Sequence, residues 1–368
     1  MLEINGVRSL ISRIRLMDFR NYEAIDLELH SGQNVFVGLN GQGKSNLLEA
    51  VYALSSTRSF RGARDKEVIR FSAEKATVTG HVGADDTEIT LEYNRTGGRS
   101  AYLFENKLPR VLDLVGRLPA VVFSTTDLAI VDAGPSERRG FMDTELSLIS
   151  PSYLKEFAGY RKALEQRNAA LRAVREGSDQ ATLDPWEAAL AAKGAQLRHT
   201  RSEWVSDLLP LVQREHKGLS ASDDELDVHP KNVDEAETPE DLLELLKSKR
   251  SIDIASGHTT VGPHRDDLTI TLAGEDARAF ASQGQRRTIA LALKIAVAHY
   301  LRERLNILPL VLLDDIMSDL DASRRTAVMA VSGSLGQVIM TTTDLDAIRP
   351  EVRSDARVFQ VHDAQIRR

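Results

Sequence analysis

The chain has 368 residues, of which 42% are apolar and 27% charged, with a formal net charge of −7 and no cysteine. That length allows one large α/β core and a second, smaller body, in a composition ordinary for a soluble globular protein. It excludes disulfides, a thiolate metal site and a Cys nucleophile, and no run approaches the ~18 apolar residues of a membrane span.

At the N-terminus, Met1-Leu2-Glu3-Ile4-Asn5 lacks the basic-then-apolar pattern of a secretion signal, so a cytoplasmic location is expected. Residues 11–19 alternate apolar and polar, as a half-buried strand does, and Ile25-Asp26-Leu27-Glu28-Leu29 alternates likewise beyond the turn Phe19-Arg20-Asn21-Tyr22. Ser31-Gly32 then leads into Asn34-Val35-Phe36-Val37, short, β-branched and read as a buried strand. It feeds Gly38-Leu39-Asn40-Gly41-Gln42-Gly43-Lys44-Ser45, which fits G-x-x-x-x-G-K-S/T in full, and residues 46–54 carry apolar side chains at helical spacing. Strand, glycine loop and helix form the context this motif requires. The glycines let backbone N–H groups turn inward around a phosphate, and the positive end of the helix points there. Residues Gly38, Leu39, Asn40, Gly41, Gln42, Gly43, Lys44, Ser45 and Asn46 are therefore expected to hold a nucleoside triphosphate. Lys44 reaches the β- and γ-phosphates as a catalytic cation, and the Ser45 hydroxyl takes a place on Mg²⁺.

Beyond that helix, residues 58–66 are basic with one aromatic. Residues 76–82, 88–93 and 101–104 read as an antiparallel meander with turns at Gly83 and Gly97-Gly98, and Pro119-Ala120-Val121-Val122-Phe123 as another core strand. From about residue 135 the pattern turns helical. Ser136 is a plausible cap for one helix, Ser152 starts a second that ends near Gly177, and a third covers about 185–216. None keeps heptads long enough for an extended coiled coil. Residues 222–244 hold ten acids and one Lys, a local charge of −9, so the remainder is about +2 (−7 minus −9). Overall charge thus does not argue against a polyanionic partner. Residues 222–237 read as a loop or weakly ordered segment, and Thr238-Pro239-Glu240-Asp241 caps a short helix. After residue 252 the α/β pattern returns, with strands at 268–272, 308–313 and 337–341 and an apolar helix at 288–300. The expected organisation is an α/β head split between 1–134 and 255–368, interrupted by a mainly helical insertion at 135–254.

The apolar run Leu310-Val311-Leu312-Leu313 ends in Asp314-Asp315. A strand next to the phosphate loop would deliver Asp314 to the Mg²⁺ shell, and Asp315, pointing differently, would orient the attacking water as general base. Asp321, in Ser318-Asp319-Leu320-Asp321, caps the helix that follows. Ala281-Ser282-Gln283-Gly284-Gln285-Arg286-Arg287 opens the apolar helix either as a second phosphate-binding element or as an N-cap with a flexible turn.

The order of these parts, glycine loop, then Ser-Gln-Gly-Gln, then strand with two Asp, resembles the ABC-type ATPases. That resemblance implies ATP as the nucleotide, with Ser282, Gly284 and Gln285 of one copy closing over ATP held by another. Within that class the chain is similar to the RecF family of bacterial recombination mediators over nearly its whole length. The residues that carry this are Phe19-Arg20-Asn21-Tyr22, residues 38–50, Arg58-Ser59-Phe60-Arg61, Arg138-Arg139, Arg167-Asn168, Gly262-Pro263-His264-Arg265-Asp266-Asp267-Leu268, Ser282-Gln283-Gly284-Gln285 and Leu313-Asp314-Asp315.

The resemblance implies a P-loop ABC-type head related to Rad50 and SMC proteins, with a mixed sheet plus an antiparallel meander and a helical second domain. It implies a slow ATPase that forms an ATP-dependent homodimer on DNA at single-strand gaps or junctions. It further implies cooperation with RecO and RecR in loading RecA, and a part in replication restart and SOS induction. Two departures from the wider pattern stand out. Asp315 replaces the usual Glu, and Thr341-Thr342-Thr343-Asp344 replaces the His after the late strand. No clear glutamine precedes the insertion; Asp127 is the candidate there.

For DNA phosphates the candidates are Arg58, Arg61, Arg64 and Lys66, and a helical cluster of Arg161, Lys162, Arg167, Arg172 and Arg175. Two rival readings are a transporter's ATPase subunit and an ATPase-linked, metal-dependent nuclease resting on residues 264–267 with His258.

Overall fold

The structure, a computed structural model, describes residues 7–220, 222–318, 320–345 and 356–368; the expectation at Asp319 lies outside them. The chain divides into two compact units. The first comprises Met1–Asp127, Arg214–Ala221 and Thr288–Arg368.

Within it, the helix Lys44–Ser56 buries nearly every residue from Leu47 to Ser55. A helix apolar all round must be covered on more than one side, and two six-stranded sheets supply the cover. It packs on Ile11–Phe19, Lys75–Val82 and Thr87–Asn94 of one sheet and on Val338–Thr342, Leu310–Asp314 and Ala120–Ser124 of the other.

The second of these sheets runs Gln365–Arg367, Arg357–His362, Gln33–Val37, Val338–Thr342, Leu310–Asp314, Ala120–Ser124. All its pairings are parallel except the antiparallel edge strand Gln365–Arg367. Its central strands are near-continuous apolar runs, as strands covered on both faces must be. The strand ending in Asp314 does not pair with the phosphate-loop strand directly, although both end on the same edge of the sheet. Val338–Thr342 lies between them, pairing Met340 with both Val35 and Leu313. Strand order across parallel crossovers is set by long-range packing, which local periodicity does not carry.

The other sheet runs Tyr22–Glu28, Ile11–Phe19, Lys75–Val82, Thr87–Asn94, Arg99–Leu103, Asn106–Lys107, antiparallel throughout. Ile14, Leu16, Val78, Ile89 and Leu91 are fully buried on its inner face. Its other face carries cross-strand ion pairs such as Arg13–Asp26 and Lys75–Glu92, the alternation of a sheet with one wet side. Gln337, buried, ties Ile11 into the unit by accepting from its N–H and donating to its carbonyl.

The second unit comprises Leu128–Gln213 and Ser222–Arg287. The expected insertion at 135–254 therefore ends too early, because residues 255–287 cluster with the second unit rather than with the head. Asp267–Leu272, read as a head strand, instead pairs with Leu226–Lys231 and Glu275–Asp276 in a three-stranded antiparallel sheet. The acidic stretch, read as a loop or weakly ordered segment, thus contains a strand. Leu226 and Val228 point inward while the charges take the other face, and Pro230 is tolerated because the strand is an edge.

Its helices include Pro135–Ile149, Pro151–Arg175, Pro239–Ser248, Arg250–Ser256 and, as far as Gln213, Asp184–Leu219. Ser136 is not a cap; Gly134 takes that place, with Pro135 in the first turn. Ser150 caps the next helix, its hydroxyl accepting from the Tyr153 N–H at 3.1 Å. Thr238 forms the expected capping box with Asp241.

Buried arginines knit this unit together. Arg167, with no exposure, donates to Asp253 at 2.7 Å, Thr259 at 2.8 Å, Glu187 at 3.0 Å and the Leu246 carbonyl at 3.3 Å. It therefore leaves the DNA cluster in which the sequence placed it. Arg198 spans Asp234 and Asp266, Arg201 holds Asp143 and Tyr153, and Arg138 forks onto Asp267.

His264 sits between the Tyr160 hydroxyl at 2.8 Å and the Thr259 carbonyl at 3.1 Å. The carbonyl requires Nε2–H as donor, so Nδ1 accepts from Tyr160. Burial pushes the imidazole down to about 4. Each polar member of residues 264–267 is thus committed to a protein partner, which removes the basis for a nuclease metal site there. Among the described residues no three His, Asp or Glu side chains converge as a metal-holding group.

Candidate functional site

The glycine loop leaves the C-terminal end of Gln33–Val37, the edge of a parallel sheet where ligands bind in α/β folds. Gly43 has φ 113, and a Cβ there would meet the Asn21 amide at 2.8 Å and the Tyr22 hydroxyl at 2.9 Å. Only glycine satisfies both constraints. Tyr22 donates to the Gly43 carbonyl at 3.0 Å, fixing the last loop residue before the helix.

Lys44 is 5% exposed, and its ammonium curls back onto the carbonyls of Gly38 at 2.6 Å and Leu39 at 2.9 Å. Burial lowers its pKa, while Asp315 and Asp314 pull the other way. One cation and two carboxylates therefore sense one another at the sheet edge from which the loop leaves. Ser45 is half-buried in the first helical turn, and Leu39, Asn40 and Gly41 lie exposed at the tip.

Asp314 and Asp315 emerge at the end of Leu310–Asp314, joined by a residue from the intervening strand. Thr341 donates its hydroxyl to Asp314 Oδ1 at 3.0 Å and accepts from the Asp315 N–H at 3.0 Å. Asp315 has φ 52, a left-handed conformation that costs a non-glycine residue roughly 1–2 kcal/mol. It takes the chain off the regular strand geometry of Leu310–Asp314. Thr342 closes on the backbone of Asp344 instead. The sequence reading placed hydroxyls of this run where the histidine is usual, as γ-phosphate donors, and did not foresee Thr341 on the two acids; its register opposite Asp314 was the hidden signal. Asp127 accepts from the Ser124 N–H at 2.7 Å, closing the turn after Ala120–Ser124.

A polar network that sequence reasoning did not assign braces the helix behind the loop. Glu49, fully buried, takes both arms of Arg20 at 2.8 and 2.6 Å and accepts the Ser59 hydroxyl. Arg61 donates to Asn46 at 3.0 Å, Asn46 to Asn21 at 2.8 Å, and Asn21 to the Gln42 carbonyl at 3.4 Å. Arg61 is thereby tied to the nucleotide loop rather than held out for DNA. Arg58, Arg64 and Lys66 remain exposed, as do Arg161 and Lys162 in the other unit, where Arg161 lies over the Phe157 ring.

Ser282, Gly284 and Gln285 belong to the second unit, at the start of the helix Gln283–Leu305. Ser282 and Gln285 form a capping box. The Ser282 N–H donates to the Gln285 side chain at 2.8 Å, and the Ser282 hydroxyl accepts from the Gln285 N–H at 3.3 Å. The N-cap reading is therefore realised, and the hydroxyl proton keeps its capacity to donate.

The family profile described as RecF/RecN/SMC N terminal domain matches residues 10–366. A protein named DNA replication and repair protein RecF from Lactobacillus delbrueckii is 36% identical over 97% of this chain and 96% of its own length. Its namesake from Heliobacterium modesticaldum is 36% identical over 97% and 99%. A solved structure of the recombination mediator protein RecF with ATP superposes with a TM-score of 0.89, at 32% identity over 99% of this chain and 98% of that one. An SMC head from Pyrococcus furiosus shares the fold alone, with a TM-score of 0.55 at 17% identity. The glycine loop, the paired carboxylates, the ABC-type head and these likenesses agree: the chain belongs to the RecF family.

Proposed function

We propose that this chain binds ATP with Mg²⁺ at residues 38–46 and uses it to close two copies around DNA during recombinational repair in the cytoplasm. The observation that carries the reading is that the glycine loop with Lys44 and the strand end with Asp314 and Asp315 lie on the same edge of one parallel sheet, a single strand apart. An isolated glycine turn has no use for that placement. The lysine rests on two loop carbonyls, bonds it can exchange for phosphate oxygens. Ser45 and Asp314 offer hard oxygen donors of the kind Mg²⁺ takes, and the ion supplies charge neutralisation on the phosphates. Asp315, just past the strand end, orients water for slow hydrolysis.

Ser282, Gly284 and Gln285 serve the second copy's nucleotide, with ATP as adhesive and hydrolysis as release. Exposed Arg58, Arg64, Lys66, Arg161 and Lys162 offer backbone contacts to DNA, without a base-reading module. The similarity to proteins named for replication and repair, and to a recombination mediator of the RecFOR pathway, supports a place in recombinational repair. Within that place we propose action at gaps or single-strand/double-strand junctions, with RecO and RecR in loading RecA, in replication restart and in SOS induction; the same family membership sets aside the transporter reading. Sedimentation with and without Mg-ATP tests this directly. A dimer that forms with Mg-ATP in the wild type and is lost in Lys44→Arg is expected; a monomer throughout would overturn the reading.

A further inference from the structure

The phosphate loop is held from outside by the last strands of the chain. Arg357–His362 runs parallel to the loop's own strand, Gln33–Val37, and turns through Asp363 and Ala364 into Gln365–Arg367. The turn meets the loop twice. The Asp363 N–H donates to the Gln42 side-chain carbonyl at 2.6 Å, and the Ala364 N–H donates to the Gln42 main-chain carbonyl at 3.1 Å. At the loop's other end the Val361 carbonyl lies against Gly38, where a Cβ would come within 2.2 Å of it. Loop and hairpin are therefore fitted to each other at both ends of the glycine run.

At Ala364 the hairpin also adopts a conformation its sequence disfavours. Asp363 and Ala364 have φ 44 and 57, the left-handed pair of a tight hairpin turn that Asn-Gly normally occupies. An external bond to each N–H offsets that strain, and Gln42 supplies both.

We propose that the C-terminal hairpin is a positioning element of the nucleotide site: Asp363 and Ala364, acting through Gln42, hold the loop in its open, phosphate-receiving shape. This rests on the reading of residues 38–46 as a triphosphate site, but not on dimerisation. It makes nucleotide affinity depend on a turn over 300 residues away in sequence.

The test is Mg-ATP affinity measured by titration on the full chain, for wild type, Gln42→Met, Asp363→Pro and the double variant. Gln42→Met keeps side-chain bulk but removes the acceptor, and weakens Mg-ATP binding by about fivefold, the effect of one lost hydrogen bond. Asp363→Pro removes the donor of the same bond and cannot adopt the positive φ, so it weakens binding as well. The double variant binds no more weakly than the weaker single variant, because both changes break one contact. A Gln42→Met variant that binds as wild type overturns the proposal. So do losses that add in full in the double variant, since Gln42 would then act on nucleotide directly rather than through the hairpin. A wild type that binds no Mg-ATP would overturn the functional reading itself.

Discussion

Arg167→Met separates architecture from DNA binding in the helical unit. The guanidinium serves two carboxylates, Asp253 and Glu187, that have no exposure of their own. Removing one partner of a buried ion pair costs about 3–5 kcal/mol, because the remaining charge stays buried. Here part of the loss is cushioned. Asp253 keeps the Thr260 N–H at 3.1 Å and hydroxyl at 2.6 Å, and Glu187 keeps Arg250. The low end, about 3 kcal/mol, is therefore the expected cost. Both tryptophans of the chain, Trp186 and Trp204, lie in this unit, so their fluorescence reports its unfolding in urea. With a slope of about 1–3 kcal/mol/M, the midpoint falls by about 1–3 M. DNA affinity measured well below that midpoint should keep its wild-type salt dependence. A midpoint unchanged within error would refute the reasoning, as would a shallower salt slope, which would mean that Arg167 reaches phosphate after all.

His264 makes stability pH-dependent with a defined sign. Its pKa is about 4 in the fold against 6.5 unperturbed, so the unfolded chain binds the proton first. Stability is full above about 6.5 and falls as pH drops toward 4, by about 2 kcal/mol between pH 7 and pH 5. His264→Gln should flatten that part of the urea-midpoint profile, and an identical profile would remove the histidine from the account. Asp315→Asn should prolong the ATP-bound dimer, read as slower dissociation after a chase with ADP; an unchanged lifetime would show that Asp315 does not govern hydrolysis. Lys162→Ala should weaken binding alike on all sequences and reduce the salt slope by about one if it contacts phosphate, and an unaltered slope would place that helix off the DNA.

The sequence made the nucleotide loop legible because its chemistry is local: the glycines, the lysine and the helix follow one another within a few residues. The carboxylate pair was legible for the same reason, but its neighbour was not. Thr341 reaches Asp314 and Asp315 through a strand inserted between loop and acids, and nothing in the run Thr341-Thr342-Thr343 distinguishes the first hydroxyl from the next. The strand Leu226–Lys231 was hidden by composition, since its acidic neighbours mask a short alternation of Leu226 and Val228. The unit boundary was misplaced because Arg138, Arg198 and Arg201 bind residues more than sixty positions away. Charged residues that a sequence presents as surface became the interior. Gln42 was legible as part of the motif, whereas its attachment to Asp363 and Ala364 exists only in the folded sheet.

The central claim, that each nucleotide is held by the loop of one copy and the Ser282 helix tip of another, is tested most directly by mixing two inactive variants. Lys44→Ala abolishes the loop and Ser282→Arg blocks the tip, so neither homodimer retains an intact site. In a mixed dimer, one site combines the intact loop of the Ser282→Arg chain with the intact tip of the Lys44→Ala chain. Mixing in equal amounts should restore ATP hydrolysis, to at most half of the wild-type rate, because only mixed dimers hold an intact site and each has one of two. No recovery on mixing, with both variants folded and the Ser282→Arg chain still binding ATP, would contradict the claim.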